Sequence, residues 1–249
     1  MHPFFRLIGS FSSDGKEFEH LCRWILRTHP LYRSKLKKVW LWDDWPSRWG
    51  RDCGIDLIAE DVNGKIWAIQ AKCYRSVYSV KKADIDSFLN ESASKKINHR
   101  LLIATTDRIG RNASAAIRRQ HEVKSISQLM LSDLLEAPII WPNSLDELSS
   151  GGLKKAFSPK PYQEIAIKNV ANKLESRGQL IMACGTGKTL TALWIAEKLQ
   201  AKTTLVLLPS LLLLSKTLSE WLVHSKRPFS FLQYVLTTQL QNLMMKSKY

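Results

Sequence analysis

Apolar and polar positions along the chain predict where its first elements lie. Near the amino terminus, apolar residues recur at steps of three and four, at Phe18, Leu21, Cys22 and Ile25. This is the period of one face of an α-helix, and Ser13 or Asp14 can cap its start. Glu19 shares a stripe with Cys22, so its carboxylate is expected at the margin of the buried face.

A β-hairpin is predicted next. Residues 54–61 and 65–72 form two strand-like runs that flank the pair Asn63-Gly64. Asn-Gly favours a tight turn because both residues readily adopt positive φ angles. Further along, the pattern predicts a helix at 80–91, a buried strand at 101–105, a helix at 112–120, and a short strand and helix at 123–135. Helices and strands therefore alternate, as in α/β folds.

A change in composition divides the chain. Residues 148–160 are rich in serine, glycine, lysine and proline, which indicates a linker between a domain at 1–147 and a second one at 161–249. In the second, the pattern predicts a helix at 162–175, a strand at 180–183, a helix at 188–199 and a strand at 204–208. This order is the opening of a parallel sheet without its completion.

Charge and composition indicate which partners and which cellular location to expect. The net charge is +15, and a field of this sign attracts nucleic acid. The longest apolar run, at 205–214, is broken by Pro209 and falls short of the roughly 20 residues that span a bilayer. The chain starts without the features of a signal peptide. The four cysteines form no C-x-x-C pair and no zinc-like spacing with histidine. We expect a cytoplasmic protein with reduced thiols and no membrane partner.

Tryptophans crowd the segment before the hairpin, at Trp40, Trp42, Trp45 and Trp49. Such rings can stack on bases or bridge phosphates with neighbouring arginines. Packing in a core is the favoured interpretation, since large aromatic side chains dominate core energetics.

The hairpin concentrates residues suited to a metal-dependent reaction. Asp56 lies near the start of its first strand, and Gln70, Ala71 and Lys72 end its second. Residues two apart in a strand face the same way, so Gln70 and Lys72 project together. Mg²⁺ prefers carboxylate, amide and carbonyl oxygens with water, and a nearby ammonium can orient the attacking water. The sequence therefore predicts a Mg²⁺ site here.

The register of the hairpin decides whether this site forms. A two-residue turn at Asn63-Gly64 would place Asp56 opposite Ala71, on the wrong face of the sheet. A bulge or a three-residue loop shifts the register by one residue. We predict such an irregularity, which would set Asp56 opposite Lys72 and close the site.

These motifs resemble the PD-(D/E)xK nucleases, and within them the Mrr-like group that carries glutamine in the second acidic position. The matching residues are Phe18-Glu19, Gly54-Ile55-Asp56 and Gln70-Ala71-Lys72. The wider segment, from Trp45-Pro46 through Arg48, Gly50 and Asp52 to Tyr74, resembles the nuclease domain of type ISP restriction enzymes.

The resemblance implies a restriction-endonuclease-like mixed sheet flanked by helices, with double-stranded DNA as its substrate. Asp56, Gln70 and the carbonyl of Ala71 would bind Mg²⁺. Lys72 would assist the nucleophile, and Glu19 would complete or buttress the site.

A second motif lies at 182–189, where an apolar stretch leads into Met-Ala-Cys-Gly-Thr-Gly-Lys-Thr and a predicted helix. This is the setting of a phosphate-binding loop. The loop residues are Gly185, Thr186, Gly187, Lys188 and Thr189. Glycines let backbone N–H groups approach the phosphates, the lysine reaches the β and γ phosphates, and the last threonine can ligate Mg²⁺.

This loop resembles that of superfamily 2 helicases, and Pro161-Tyr162-Gln163 resembles their adenine-reading motif. The resemblance implies an incomplete RecA-like unit that binds ATP, with Gln163 in contact with the base. Hydrolysis is not expected, because it needs a second acidic motif at a strand end. The only carboxylates after Lys188 are Glu197 and Glu220, both within predicted helices. We expect a truncated gene product or a deliberately shortened chain.

Three functions remain open from the sequence. The favoured one is a DNA endonuclease module of a helicase-linked restriction system. Its partners would be the remaining helicase, methyltransferase and target-recognition parts. The others are an ATP- and DNA-binding helicase fragment and a catalytically silent DNA-binding remnant.

Overall fold

A five-stranded mixed sheet organises the amino-terminal part of the chain. The computed structural model describes residues 1–12, 15–50, 54–120, 124–173, 177–227, 229 and 231. The chain divides into two compact units, Met1–Lys154 and Lys155–Tyr249, and each is described by itself. None of the helices in these described ranges is long and apolar enough to cross a membrane.

The strands of the first unit lie side by side in chain order. They are β1 (Leu36–Leu41), β2 (Leu57–Asp61), β3 (Ile66–Lys72), β4 (His99–Ala104) and β5 (Ile126–Leu129). The first three are antiparallel, whereas β3, β4 and β5 run parallel. The carboxyl ends of β3 and β4 therefore meet at one edge of the sheet. A separate antiparallel pair joins β6 (Ile139–Ile140) to β7 (Gly152–Leu153), and only β7 lies within the predicted linker 148–160.

Helices cover both faces of this sheet. They are α1 (Pro3–Ile8), α2 (Lys16–Thr28), α3 (Pro30–Lys35), α4 (Asp86–Glu91), α5 (Arg111–Gln120) and α6 (Leu131–Glu136). On one face, α1, α2, α3 and α6 pack against side chains such as Leu57, Ile69 and Leu101. On the other, α4 and α5 pack against Ile58 and Leu102. The side chains of successive strand residues point to opposite faces of the sheet, so they pack into the two cores in turn.

The predicted helix at 80–91 is wrong as a single element. A 3₁₀ turn, Lys82–Asp84, precedes α4. The Asp84 carboxylate accepts the backbone N–H of Lys81 at 2.7 Å and the hydroxyl of Tyr78 at 3.0 Å. These local hydrogen bonds compete with a continuous helix, which explains the break.

Two details near the start of the chain were not expected. Residues 33–38, which carry four basic side chains, end α3 and begin β1, because pairing with β2 overrides the local charge pattern. The predicted caps of α2, Ser13 and Asp14, lie outside the described residues. Gly15, with φ 79°, occupies the N-cap position without a side-chain hydrogen bond.

The second unit contains α7 (Pro161–Lys173), α8 (Lys188–Lys198) and α9 (Leu211–His224). The predicted strands at 180–183 and 204–208 do not form, since neither segment pairs with a strand in the described part of the chain. Ile181 is 83% exposed and Leu205 is 82% exposed. Strand-like apolar runs become strands only when neighbours satisfy their backbone groups.

Candidate functional site

A three-residue loop sets the register of the β2–β3 hairpin. Leu57 pairs with Ile69 and Glu60 with Ile66, so residues 62–64 form the loop. Gly64 has φ 76°, which matches a type I turn followed by a left-handed residue. The Asp61 side chain accepts the backbone N–H groups of Asn63 at 2.8 Å and Lys65 at 2.9 Å. The predicted irregularity is confirmed.

This register brings Asp56 beside Gln70, one position before the ladder of β2 begins. The Asp56 N–H donates to the Ile69 carbonyl at 3.0 Å, and the Ala71 N–H donates to the Asp56 carboxylate at 2.7 Å. Asp56 thus contacts the residues on both sides of Gln70. The prediction that it would stand opposite Lys72 is wrong, because the three-residue loop moves the register in the other direction. Asp56 and Lys72 nevertheless lie on the same face of the sheet. Asp56 is beside Gln70, and Gln70 and Lys72 are two residues apart on one strand.

Gln70 is the most constrained residue of the group. Its side chain is only 1% exposed. The amide nitrogen donates to the Gly54 carbonyl at 3.2 Å, while the amide oxygen Oε1 is buried with no hydrogen-bond donor among the described residues. A buried acceptor without a donor costs free energy and calls for a ligand or ordered water.

Gly54 fixes the direction of that amide. It has φ 74°, and a Cβ added there would lie 2.8 Å from the Cβ of Ser87. Only glycine therefore combines this backbone angle with the close approach of α4. The sequence showed Gly54 as part of a motif, but its contact with Gln70 depends on a helix more than thirty residues away in the chain.

Lys72 ends β3 beside Ala104 of β4. Its side chain is half-buried, and its ammonium makes no hydrogen bond or ion pair within the described ranges. Its backbone carbonyl accepts Thr105 N–H on the β4 side. The backbone N–H and carbonyl groups of successive strand residues point alternately to the two neighbouring strands. Because the Lys72 carbonyl points to β4, the N–H and carbonyl of Ala71 both point to β2, where Asp56 lies.

Glu19 approaches the same region from α2. It is half-buried and lies one turn before Cys22. Burial raises the pKa of the Cys22 thiol, and the charges of Asp56, Cys73 and Glu19 raise it further. The carboxylates of Glu19 and Asp56 therefore both lie within electrostatic reach of one buried thiol.

The tryptophans near the hairpin are mostly structural. Trp42 and Trp45 are buried, and the rings of Trp42, Trp45 and Trp49 lie 5.0 to 5.7 Å apart in tilted and edge-on contacts. The Trp49 indole N–H donates to Glu91, and the ammonium of Lys96 lies 5.6 Å from its ring centre. Core packing, the favoured interpretation, accounts for these contacts.

The second unit holds a separate phosphate-binding loop. Gly185 and Gly187 have φ 75° and 77°, and Gly187 precedes the first residue of α8. The ammonium of Lys188 donates to the carbonyls of Met182 at 3.2 Å and Ala183 at 3.0 Å. Exposed backbone at a helix start, with a lysine folded over it, suits an anion.

Gln163 braces this loop from α7. It is buried, and its amide nitrogen donates to the Thr186 carbonyl at 3.0 Å. A Cβ added at Gly187 would lie 2.7 Å from that nitrogen. Thr189 follows Lys188 in the first turn of α8, and its carbonyl accepts the indole N–H of Trp221 at 2.9 Å. The structure therefore brings the predicted nucleotide-binding residues together around one loop.

Comparison with known proteins assigns both units. Residues 27–149 match a family model described as restriction endonuclease. Residues 156–246 match one described as type III restriction enzyme, res subunit. A solved structure, the ATP-dependent type ISP restriction-modification enzyme LlaBIII bound to DNA, is 34% identical with a TM-score of 0.73. That match covers 84% of this chain and 14% of the other, and no curated protein matches.

The chain is a restriction endonuclease domain followed by a helicase-type segment. The fold class predicted from the sequence, a restriction-endonuclease-like mixed sheet followed by a partial helicase unit, is confirmed. This chain spans only 14% of the length of LlaBIII.

The endonuclease domain offers oxygen ligands to a metal. Within the described residues, no group of three His, Cys, Asp or Glu side chains converges to hold one. The available donors at the site are the Asp56 carboxylate, the buried Oε1 of Gln70 and the carbonyl of Ala71. This set of hard oxygens fits Mg²⁺. The orphaned Oε1 of Gln70 is the observation that supports the fit, because a cation would satisfy it.

Proposed function

We propose that the endonuclease domain hydrolyses DNA phosphodiester bonds with Mg²⁺, as the amino-terminal part of a helicase-linked restriction enzyme similar to type ISP enzymes. The convergence of Asp56 and Lys72 around Gln70, whose buried amide oxygen lacks a donor, carries the proposal. The DNA-bound state of LlaBIII supports DNA as the partner.

Each residue has a role in this proposal. Asp56, Gln70 and the Ala71 carbonyl hold Mg²⁺, which when bound supplies a Lewis acid and lowers the pKa of a water molecule. Lys72 orients the attacking water or stabilises the negative charge that develops on the phosphate. Glu19 completes or buttresses the site from α2.

Plasmid nicking in the presence of Mg²⁺ tests the proposal. Asp56→Asn and Lys72→Ala are expected to lower the nicking rate by roughly 100-fold or more, since each removes charge that acts in the transition state. Asp146→Asn and Lys95→Ala change exposed residues of the same types and should leave the rate unchanged. Equal nicking by all five proteins would refute the site.

Metal binding provides a second readout that does not depend on turnover. Gln70→Leu keeps the side chain's approximate volume and removes the amide oxygen. We expect it to weaken binding of Mn²⁺, a spectroscopic substitute for Mg²⁺, by about 10-fold or more, in line with the loss of one ligand. An unchanged Mn²⁺ affinity would remove Gln70 from the ligand set even if nicking persists.

We also infer that the helicase-type segment binds ATP through residues 185–189 without hydrolysing it. Its loop geometry supports binding. Of the two carboxylates after Lys188, Glu197 accepts hydrogen bonds from the Ser225 hydroxyl at 2.8 Å and from the Lys226 N–H at 2.7 Å. It therefore stabilises the chain at the end of α9. Neither Glu197 nor Glu220 occupies a strand end.

A titration with a fluorescent ATP analogue tests this second inference. Lys188→Ala should weaken binding by about 10-fold or more, because it removes the charge that reaches the phosphates, while the exposed Lys198→Ala should not. The wild-type protein should release phosphate from ATP no faster than Lys188→Ala does, with or without DNA. DNA-stimulated release that Lys188→Ala abolishes would contradict the absence of hydrolysis.

A further inference from the structure

The segment that follows Lys72 forms a cavity of its own. Residues 73–81 leave the carboxyl end of β3 and line an open surface depression of about 590 Å³. Its lining is formed by Cys73, Tyr74, Arg75, Val77, Tyr78 and Lys81, with Ser79. Pockets of about 300 to 1,000 Å³ commonly hold small organic molecules. The sequence pattern predicts no element at 73–79, and the proposed metal site uses none of these residues.

Two buried threonines hold this segment against the end of β4. The Thr105 hydroxyl accepts the Tyr74 N–H at 2.7 Å and lies 2.6 Å from the Tyr74 carbonyl. The Thr106 hydroxyl contacts the carbonyls of Ser76 at 3.0 Å and Tyr78 at 2.6 Å. Both threonines are almost fully buried. The backbone of the pocket is therefore fixed relative to the strand that positions Lys72.

The two aromatic rings of the pocket are also fixed. Tyr74 and Tyr78 lie with ring centres 4.3 Å apart. The Tyr78 hydroxyl donates to Asp84 at 3.0 Å, and the Lys81 ammonium lies 5.7 Å from the Tyr78 ring centre. Rings held in this way lose little conformational entropy when a base packs against them.

Positive charge and the metal site lie next to these rings. Arg75 is exposed, and its guanidinium makes no hydrogen bond or ion pair with the part of the chain that is described. Burial raises the pKa of Tyr74, and the charge of Asp84 raises it further. Tyr74 lies two residues after Lys72, the last residue of β3, so the rings follow directly from the strand end that carries the proposed site. An aromatic surface with cations beside it is typical of sites for single-stranded nucleic acid.

We propose that this pocket receives one unpaired nucleotide of the substrate DNA next to the cleaved phosphate. The base packs against Tyr74 and Tyr78, and the flanking phosphate meets Arg75 or Lys81. The inference rests on the proposed nuclease function and adds its substrate class, which is DNA with an unstacked nucleotide at the point of cleavage. A regular duplex would have to release a base to fill the pocket, at a cost of a few kcal/mol.

Binding in EDTA tests the pocket without cleavage. We compare a short duplex with the same duplex carrying one unpaired nucleotide, by fluorescence anisotropy with the full chain. Wild type should bind the second about 10-fold more tightly, since one base–aromatic stack is worth roughly 1 to 3 kcal/mol. Tyr78→Leu should abolish this preference, whereas Tyr78→Phe, which keeps the ring, should retain it. Arg75→Gln should weaken binding of the duplex with the unpaired nucleotide, whereas the matched control Arg118→Gln, which changes an exposed arginine on α5, should not.

The outcomes separate this inference from the nuclease proposal. If wild type prefers the unpaired nucleotide in EDTA but nicks nothing with Mg²⁺, the pocket stands and the nuclease function fails. Equal binding of both duplexes, or a preference that Tyr78→Leu and Tyr74→Leu leave intact, overturns the pocket alone. Competition by a free deoxynucleoside monophosphate at the same concentration as DNA would also overturn it, since the occupant would then be a free nucleotide.

Discussion

The endonuclease domain and the helicase-type segment differ in what surrounds their chemistry. In the first, Gln70 lies between two paired strands, and almost no part of its side chain is exposed. In the second, the loop residues 185–189 come between two apolar segments, 180–183 before the loop and 204–208 after α8, which are largely exposed and pair with no described strand. The buried polar site of the first unit depends on the strand pairing around it, whereas the loop of the second unit has its glycines and its helix start without a described strand beside it.

Core substitutions should show this contrast most strongly. Leu102→Ala removes a buried side chain between the strands and the helices of the endonuclease domain, and we expect a loss of about 2 to 5 kcal/mol in the free energy of unfolding. Leu205→Ala removes a side chain that is mostly in water and should change it by roughly 0.5 kcal/mol or less. Urea unfolding measures both. A comparable loss from Leu205→Ala would show that 204–208 is packed after all.

Acid should weaken the endonuclease domain through His29. Burial lowers the pKa of this histidine from 6.5 to about 4. As pH falls, the unfolded chain therefore binds a proton at His29 before the folded chain does. The contribution of His29 to the free energy of unfolding is fully present above pH 6.5 and is lost as pH falls from 6.5 to about 4. Between about pH 7 and about pH 5 the expected loss is roughly 2 kcal/mol.

His29 also caps α3, because its ring nitrogen accepts the Leu31 N–H at 3.2 Å. His29→Asn keeps an acceptor at this position and removes the titration. Its unfolding free energy should therefore fall less between the two pH values, as measured by urea titration at each. The same pH dependence in wild type and variant would assign the acid sensitivity to other groups.

Two glycines with similar backbone angles should respond differently to alanine. Gly64 faces open space, so Gly64→Ala should cost about 1 kcal/mol, from the left-handed backbone alone. Gly187→Ala should have the same backbone cost, and its Cβ would also clash with the side-chain amide of Gln163. We therefore expect it to weaken ATP binding in addition. Thermal unfolding and the nucleotide titration measure these effects. If Gly64→Ala abolished nicking, the hairpin register would be more fragile than its hydrogen bonds indicate.

Several features were predictable because they depend on neighbours in the chain. The apolar period at Phe18, Leu21 and Ile25 predicts α2, and Gly185 to Lys188 predicts a loop that opens a helix. Residue type and spacing also singled out Asp56, Gln70 and Lys72, which the structure brings together at the start of β2 and the end of β3. Their catalytic and metal-binding roles stay a prediction. The break within 80–91 was missed, because it depends on the contacts of one carboxylate, Asp84.

The sequence by itself determined the kinds of residues at the site and the order of α2, the hairpin strands β2 and β3, the strand β4 and the helix α5. Only the tertiary structure decided that Asp56 lies beside Gln70, because one residue more or less in the loop reverses which face a strand presents. It also decided that Gly54 and α4 hold the Gln70 amide, and that Thr105 and Thr106 fix the segment after Lys72. These contacts join residues far apart in the chain, and no local pattern specifies them.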